Sequence, residues 1–181
     1  MRAVCVFCGS SAGIEPAYTQ AARQLGALLA EQNLALVYGG AQVGLMGSLA
    51  DAALAAGGRV IGVIPQSLMA KEVGHRGLTE LRVVRNMAER KEVMMELSDA
   101  FIALPGGIGT LDELFEVWTS TQLGLQAKPC GLLNVHGYFD RLIGFLDHVM
   151  AQGFLRESHR RQLMVHDQPT MLLRELSKAA N

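Results

Sequence analysis

A glycine-rich stretch between two apolar segments holds the residues of this chain best suited to chemistry. Residues 100–118 read A-F-I-A-L-P-G-G-I-G-T-L-D-E-L-F-E-V-W, so residues 105–109 separate a strand-like run from residues with helical spacing. A glycine-rich turn from a strand into a helix leaves backbone N–H groups exposed, and the helix dipole adds partial positive charge there. The stretch therefore predicts an anion site, most often one for phosphate. The alternative is a tight connection that needs glycine only for its backbone geometry.

Two glutamates follow this turn on the same predicted helix. Glu113 and Glu116 are three residues apart, so they share a helix face close to the predicted anion site. A carboxylate placed there could act on the sugar of a nucleotide whose phosphate is held at the turn. The alternative is structural, because Thr110 and Glu113 also have the spacing of a capping box, with Thr110 at the N-cap and Glu113 at N3.

A cation lies within an apolar helical stripe earlier in the chain. Arg90 is three residues after Met87 and four before Met94. Arginine seldom lies on a buried face without a partner, and its planar guanidinium suits bidentate binding of phosphate or carboxylate. Arg90 is therefore a candidate site residue. The alternative is that its long side chain extends to solvent.

Metal and dinucleotide sites are not indicated. Cys5 and Cys8 form a C-x-x-C pair, but residues three apart on a strand point to opposite faces, and no second pair completes a zinc site. The five histidines are scattered without ligand spacing. The first predicted strand is followed by residues 9–13, G-S-S-A-G, rather than by G-x-G-x-x-G, and the second ends in Tyr38 without an acidic residue for a ribose hydroxyl.

The elements that must position these residues alternate between strand and helix. Apolar runs typical of strands cover residues 2–8, 34–38, 59–64, 81–84, 101–104 and 129–135, and helical periodicity covers residues 15–31, 43–56, 86–97, 110–118, 138–151 and 169–176. This alternation predicts an α/β fold, a Rossmann-like, doubly wound, mostly parallel sheet with helices on both faces. No repeat or linker interrupts it, so we expect residues 1–181 to form a single nucleotide-binding domain.

In such sheets ligands bind beyond the carboxyl ends of the strands. That rule places Gly9-Ser10, Gly39-Gly40 and residues 105–110 along one rim.

Composition narrows the functional classes. The 181 residues carry a formal net charge of −1 and no basic run, which argues against a nucleic-acid partner. No apolar segment approaches the roughly 20 residues that cross a bilayer, so no membrane partner is expected. Three cysteines form no disulfide framework, and the N-terminus lacks signal-peptide architecture, so the expected compartment is the reducing cytoplasm.

The two candidate site segments together resemble the motifs of one family. Residues 105–113 match the PGGxGTxxE signature of the LOG ("lonely guy") family, the cytokinin riboside 5′-monophosphate phosphoribohydrolases, and residues 87–91 match its M-x-x-R-K element. Residues 38–47 resemble its YGG…GLMG segment, and similarity continues through residues 122–134. The resemblance implies hydrolysis of the N-glycosidic bond of (N6-substituted) adenosine 5′-monophosphates, releasing free base (cytokinin or adenine) and ribose 5-phosphate.

The resemblance also implies roles for individual residues. Arg90 and Glu113 would be the catalytic pair, with Glu113 stabilising an oxocarbenium-like sugar and orienting or deprotonating water. Arg90 would anchor the substrate or keep Glu113 ionised. The residues that would bind substrate are Glu72, Lys91, Gly106, Gly107, Ile108, Gly109, Thr110 and Thr119. The resemblance implies no metal, no cofactor and a homodimer, whose contact could use Leu114, Val117 and Trp118 unless these belong to the core.

Two other functions remain open on the sequence. One is a non-catalytic Rossmann-like nucleotide or cofactor carrier with the same anion cradle, although such a carrier has no need of both Arg90 and Glu113. The other is a general AMP nucleosidase in nucleotide salvage, which differs only in its preferred base. Ala41 stands where many members have glycine and Ala88 where many have histidine, which bears on substrate choice. The label "lysine decarboxylase", which the family also carries, implies pyridoxal phosphate, and the short chain shows no sign of a fold built to hold it.

Overall fold

The strands of this chain form one parallel sheet. The computed structural model describes residues 1–69 and 74–180, and within them the sheet has seven strands in the order β4-β3-β2-β1-β5-β6-β7. All six neighbouring pairs are parallel, which confirms the predicted α/β class. The strands are β1 (Ala3–Phe7), β2 (Ala35–Tyr38), β3 (Val60–Pro65), β4 (Glu80–Val84), β5 (Ala100–Ala103), β6 (Cys130–Leu133) and β7 (Leu163–His166).

Helices cover both faces of this sheet. They are α1 (Pro16–Glu31), α2 (Gly44–Ala55), α3 (Met87–Glu96), α4 (Ile108–Gln122), α5 (Asp140–Ala151), α6 (Glu157–Arg160) and α7 (Pro169–Ala179), with a 3-10 turn at Val135–Gly137. One core cluster joins α1, α2 and α7 to the sheet face of Val4 and Val6. The other joins α3, α4 and α5 to the face of Cys5 and Phe7. A parallel sheet needs both faces buried, and the alternating side chains of β1 supply both.

The strand order reverses direction beside β1. The chain runs outward from β1 to β4, returns to the other side of β1 at β5, and then runs outward to β7. The segments that follow β1 and β5 therefore meet at the carboxyl edge, where the N–H of Gly9 donates to the carbonyl of Pro105 at 3.1 Å. Such a switch point is where doubly wound sheets bind their ligands.

The structure adds elements that the periodicity did not predict. Strand β7 is an edge strand with only its first residue fully buried, and its apolar run is only three residues long, from Leu163 to Val165. Helix α6 has four residues, too few to show helical periodicity. Among the described residues, no helix combines the length and the apolar character that a membrane span requires.

Candidate active site

A cleft of about 310 Å³ lies at the switch point, between the segments that follow β1 and β5 and the helices α2, α3 and α4. It contains both predicted catalytic residues, Arg90 and Glu113, and the predicted phosphate-binding residues Gly107 to Thr110. Its lining residues are Cys8, Gly9, Ser10, Met46, Leu68, Met87, Arg90, Gly107, Ile108, Gly109, Thr110 and Glu113. Gly106 lines a neighbouring cleft of similar volume, which also contains Gly107 and Tyr138.

The N-terminus of α4 opens into this cleft without a side-chain cap. Gly107 is the N-cap, no side chain among the described residues caps it, and the first turn holds no acidic residue. The first N–H groups of a helix have no intrahelical acceptor, and the dipole makes this end positive. These features favour an anion at the N-terminus of α4, the place for which the sequence predicts an anion site.

The predicted capping box is wrong. Helix α4 begins at Ile108, two residues earlier than expected, so Thr110 is its third residue and Glu113 lies another turn inside. Thr110 is buried beside Gly106, where an added methyl group would lie 2.1 Å from the Thr110 Oγ1 atom. Because Gly106 has no side chain, Thr110 can pack under the loop. Glu113 lies beyond the first turn of α4 and therefore does not cap the helix.

Two glycines of the loop have no structural need to be glycine. A methyl group added at Gly107 or Gly109 would meet no heavy atom within 4 Å among the described residues, and neither residue has a positive φ. Gly106 differs, because there the methyl group would also lie 2.9 Å from the Gly9 N atom. The purely structural alternative therefore accounts for Gly106 but not for Gly107 and Gly109, whose open space suits a ligand that approaches the backbone.

Arg90 is buried, with 4% of its surface exposed, so it does not extend to solvent. Its Nη2 atom donates to the Gly39 carbonyl at 3.3 Å, and its Nη1 atom contacts the sulfur of Met87 at 3.7 Å. A methyl group on Gly39 would lie 2.1 Å from Nη2, so the guanidinium fits only because this residue is glycine. The Nε atom has no hydrogen-bond partner within residues 1–69 and 74–180. Buried donors are normally satisfied, so the site retains capacity for an acceptor.

Glu113 faces Arg90 across the cleft. Its carboxylate Oε1 atom is 3.8 Å from Arg90 Nη2, and 8% of the residue is exposed. The thiol of Cys8 lines the same cleft, and its pKa is raised by burial and then by the negative charge of Glu113, against a smaller opposing effect of Arg90. Cys8 is therefore a neutral thiol in the wall, as a core cysteine would be.

The remaining predicted site residues lie elsewhere. Lys91 forms ion pairs with Asp112 at 3.1 Å and with Glu116, and these carboxylates, Glu116 before Asp112, raise the pKa of its ammonium group. It thus ties α3 to α4 behind the cleft. Thr119 is exposed on α4 beyond the cleft lining. Glu72 falls outside the described residues.

The sequence did not predict several residues that line the cleft or contact its glycine loop. Met46, Leu68 and Met87 give the cleft an apolar side, and Tyr138 donates its hydroxyl to the Gly106 carbonyl at 2.7 Å. The sequence did contain a signal for Tyr138, because this residue follows β6. The carboxyl ends of parallel strands lie at one edge of the sheet, so a residue just after β6 is expected near the loop that follows the neighbouring strand β5. Within the described residues, no three His, Cys, Asp or Glu side chains form a group that could hold a metal ion.

Known proteins are similar to this chain over most of its length. A family model described as "Possible lysine decarboxylase" matches residues 46–176. A cytokinin riboside 5′-monophosphate phosphoribohydrolase of Rhodococcoides fascians is 51% identical over 165 residues, 91% of this chain and 83% of that protein. The protein LOG7 of Arabidopsis thaliana, with the same enzyme name, is 46% identical over 177 residues, 98% of this chain and 82% of its own length.

Solved structures share the fold at lower identity. The molybdenum cofactor binding protein from the phototrophic bacterium Rippkaea orientalis superposes with a TM-score of 0.75 at 22% identity, covering 99% of this chain and 98% of that one. The molybdenum cofactor carrier protein from Chlamydomonas reinhardtii gives 0.74 at 18% identity, covering 98% and 97%. These likenesses concern the Rossmann-like fold alone. The sequence relatives and the matching family model show that the chain belongs to the LOG family, the cytokinin riboside 5′-monophosphate phosphoribohydrolases.

Proposed function

We propose that this chain is an N-glycosyl hydrolase that cleaves (N6-substituted) adenosine 5′-monophosphates to free base, a cytokinin or adenine, and ribose 5-phosphate. The observation that carries the proposal is the buried Arg90–Glu113 pair, 3.8 Å apart, beside the uncapped N-terminus of α4. Relatives that are 45% to 54% identical carry the name of this activity.

The 5′-phosphate would bind at the N-terminus of α4. The N–H groups of the first turn and the dipole favour an anion, and the open space at Gly107 and Gly109 lets it approach the backbone. Phosphate binding would supply the energy that aligns the sugar with the reacting groups. A nucleoside without phosphate should therefore react poorly.

Glu113 would act on the ribose. It lies six residues after the N-cap Gly107, about 9 Å along the axis at the usual rise, and helical side chains tilt back toward the N-terminus. That reach matches a ribose held by its 5′-phosphate. The carboxylate would stabilise positive charge on the sugar as the bond from C1′ to the base breaks, and orient or deprotonate the attacking water. The hydroxyl of that water ends on C1′ and its proton on the base.

Arg90 would anchor the substrate or keep Glu113 ionised. Its guanidinium is buried 3.8 Å from the carboxylate, and a nearby positive charge favours the charged form of an acid. Fixed charges in a site shielded from water stabilise developing charge more strongly than they would in solution. A cofactor carrier needs no such pair, which favours the enzyme over that alternative.

The remaining assignments rest on the family resemblance. Glu72, Lys91 and Thr119 stay proposed substrate contacts, although Lys91 is engaged by Asp112 and Glu116 within the chain. Thr119 is exposed away from the cleft and would reach a nucleotide only across a homodimer contact. We place the enzyme in the cytoplasm, because its three buried cysteines are free thiols.

One assay separates the functions. The purified protein is incubated with AMP, N6-prenyl-AMP and the corresponding nucleosides, and free base is quantified by chromatography. We expect base release from the monophosphates and little from the nucleosides. Faster release from N6-prenyl-AMP supports the cytokinin enzyme, and faster release from AMP supports the salvage nucleosidase. Nucleotide binding without any base release would overturn the hydrolase in favour of a carrier.

A further inference from the structure

We infer that Tyr138 is a positioning residue of the phosphate cradle, which holds the Gly106–Gly107 peptide so that the N–H of Gly107 faces the nucleotide phosphate. The inference rests on the proposed function, because the anion concerned is the 5′-phosphate of the substrate. The cleft, the motif and the relatives' names leave this tyrosine without a role.

The Tyr138 hydroxyl makes one well-formed contact. It donates to the carbonyl of Gly106 at 2.7 Å, across 32 residues of sequence. The ring is held from two sides, edge-on to Tyr18 with centroids 5.4 Å apart and edge-on to Phe139 at 4.9 Å. Aromatic pairs prefer such edge-to-face geometry, so the hydroxyl has a defined position relative to the loop.

The backbone before Tyr138 is bent to bring it there. His136 and Gly137 have φ values of 51° and 70°, in the left-handed region that a non-glycine residue such as histidine rarely adopts. These two residues turn the chain back after β6 and place Tyr138 against the glycine loop that follows β5.

Planarity of the peptide then sets the direction of the Gly107 N–H. The chain has no cis peptide bond among the described residues, and in a trans peptide the C=O and N–H point in opposite directions. The Gly106 carbonyl points at Tyr138, so the Gly107 N–H points away from it. Gly107 lines both the cleft of Tyr18 and Tyr138 and the cleft of Arg90 and Glu113. The N–H is thus aimed away from Tyr138, and the inference places the phosphate on the other side of Gly107, in the second cleft.

The peptide between Gly106 and Gly107 needs such a hydrogen bond to fix its orientation. With no side chain at Gly106 or Gly107, rotation of the peptide plane meets little steric resistance. A flipped plane would direct the Gly106 carbonyl, a negative dipole end, toward the phosphate. The tyrosine hydroxyl favours the orientation in which the N–H joins the exposed N–H groups at the start of α4.

The test compares Tyr138→Phe with Tyr18→Phe. Tyr18 is the edge-on partner of Tyr138, and its hydroxyl has no hydrogen bond within the part of the chain that the structure describes. Tyr18→Phe therefore removes a tyrosine hydroxyl from the same aromatic pair without removing a hydrogen bond. For Tyr138→Phe we expect KM for the monophosphate and the inhibition constant of inorganic phosphate to rise together by about three- to tenfold, the effect of one hydrogen bond, with kcat changed by less than about twofold. For Tyr18→Phe we expect all three constants to stay within about twofold of the unmodified protein.

A merely structural role would give a different pattern. It would lower the melting temperature of Tyr138→Phe while leaving both phosphate-dependent constants unchanged, and that result overturns the inference. Equal effects of the two substitutions overturn it as well.

Two binding measurements separate this inference from the proposed function. Calorimetric titration with AMP and with inorganic phosphate reports the cradle even if no base is released, and the loss on Tyr138→Phe is expected there too. In crystals of the unmodified protein soaked with AMP, we expect the Gly107 N–H to bond a phosphate oxygen while the Gly106 carbonyl still accepts from Tyr138. A phosphate bound elsewhere, a flipped peptide, or no binding of either ligand overturns the inference.

Discussion

Arg90 shows how the chemistry of one residue depends on a neighbour that has no side chain. A guanidinium buried beside a carboxylate needs space and acceptors, and Gly39 provides both through its missing Cβ and its carbonyl. Without them, the cost of burying the charge would favour a side chain turned to solvent. The YGG segment and the M-x-x-R-K element thus act as one unit although 51 residues separate Gly39 from Arg90.

Replacing Glu113 by glutamine tests the assignment of the catalytic acid. The amide keeps the size of the side chain but not the negative charge that we propose stabilises the sugar cation, so we expect kcat to fall by at least about a hundredfold. The affinity for AMP should change little, because the proposal places phosphate binding at the N-terminus of α4. Base release by chromatography gives kcat, and calorimetry gives the affinity. Retention of most activity would show that another group does this work.

The glycines of the phosphate loop make a second prediction at this scale. Gly109 lies in the first turn of α4, and a methyl group there meets no described atom within 4 Å. Gly109→Ala should therefore leave the free energy of unfolding unchanged or raise it by up to about 1 kcal/mol. It should also weaken AMP binding at least about tenfold, because the methyl group occupies the space of the phosphate.

Gly144→Ala is the matched control. Gly144 also lies in a helix, has no positive φ, and has open space around an added methyl group, but it is on α5, away from the cleft. Urea unfolding should show similar stability changes for the two variants, and calorimetry should show weaker AMP binding only for Gly109→Ala. Equal AMP affinities would contradict the placement of the phosphate.

At the scale of elements, the contact between α1 and α2 depends on Gly26. A methyl group there would lie 2.3 Å from the Leu49 carbonyl oxygen and 3.1 Å from the Ala53 N atom, both backbone atoms of α2. Alanine is normally favoured within a helix, yet here the two helices would have to separate, so we expect Gly26→Ala to lower the free energy of unfolding by about 1–3 kcal/mol. Gly144→Ala should raise it. Urea denaturation that shows both variants stabilised would contradict this close approach.

The start of β1 is held by an acid at the start of β5, which makes stability depend on pH. The Asp99 carboxylate accepts from the N–H groups of Arg2 and Ala3. Burial alone would raise the pKa of Asp99, but these hydrogen bonds outweigh burial and hold it below the ordinary value of 3.8. The ionised acid therefore stabilises the fold above that value, and this contribution is lost as pH falls through the lowered pKa.

Asp99→Asn should accordingly destabilise the protein at neutral pH by about 1 kcal/mol, because a neutral amide accepts the backbone N–H groups less strongly. The difference from the unmodified protein should shrink as pH falls from 3.8, where Asp99 of the unfolded chain is protonated, through the lowered pKa of the folded protein. Urea unfolding at pH 7 and near pH 3 checks both parts. A difference that stays constant across this range would show that ionisation of Asp99 does not matter.

At the scale of the whole molecule, the surface retains large apolar side chains that no described element covers. Phe145 and Phe154, near α5, are 62% and 87% exposed, and Leu125, after α4, is 75% exposed. Leu114, Val117 and Trp118 belong to the core instead, so they are not available for a subunit contact. Exposed apolar residues also occur on monomers, where they lie scattered over the surface, and these three are the candidates for a subunit contact.

We expect the homodimer because the family resemblance implies it. Light scattering coupled to size-exclusion chromatography should give twice the 19.5 kDa mass of the chain at micromolar concentration. Dilution should lower this mass once the subunits dissociate. If Thr119 contributes to the cleft of the other subunit, the rate of base release should fall over the same concentration range. A mass of 19.5 kDa in an active sample would contradict the dimer.

Local patterns in the sequence determined the α/β class, most of the helices and strands, and the resemblance to the family that the sequence relatives show. They could do so because burial on a parallel sheet produces long apolar runs, and because a helix start that binds phosphate needs glycines close together. They misplaced the start of α4, where the capping-box spacing of Thr110 and Glu113 suggested an N-cap at Thr110, and they missed β7, whose edge position leaves it half-buried.

Only the tertiary structure decided which distant segments meet. The space at Gly39 for Arg90, the hydroxyl of Tyr138 on Gly106 and the engagement of Lys91 by Asp112 and Glu116 join residues from 21 to 51 positions apart. Such contacts follow from the strand order and from helix packing, which hydrophobic periodicity does not encode. The physical reason is that burial pattern is a property of each segment, whereas the distance between two charges depends on how all the segments pack together.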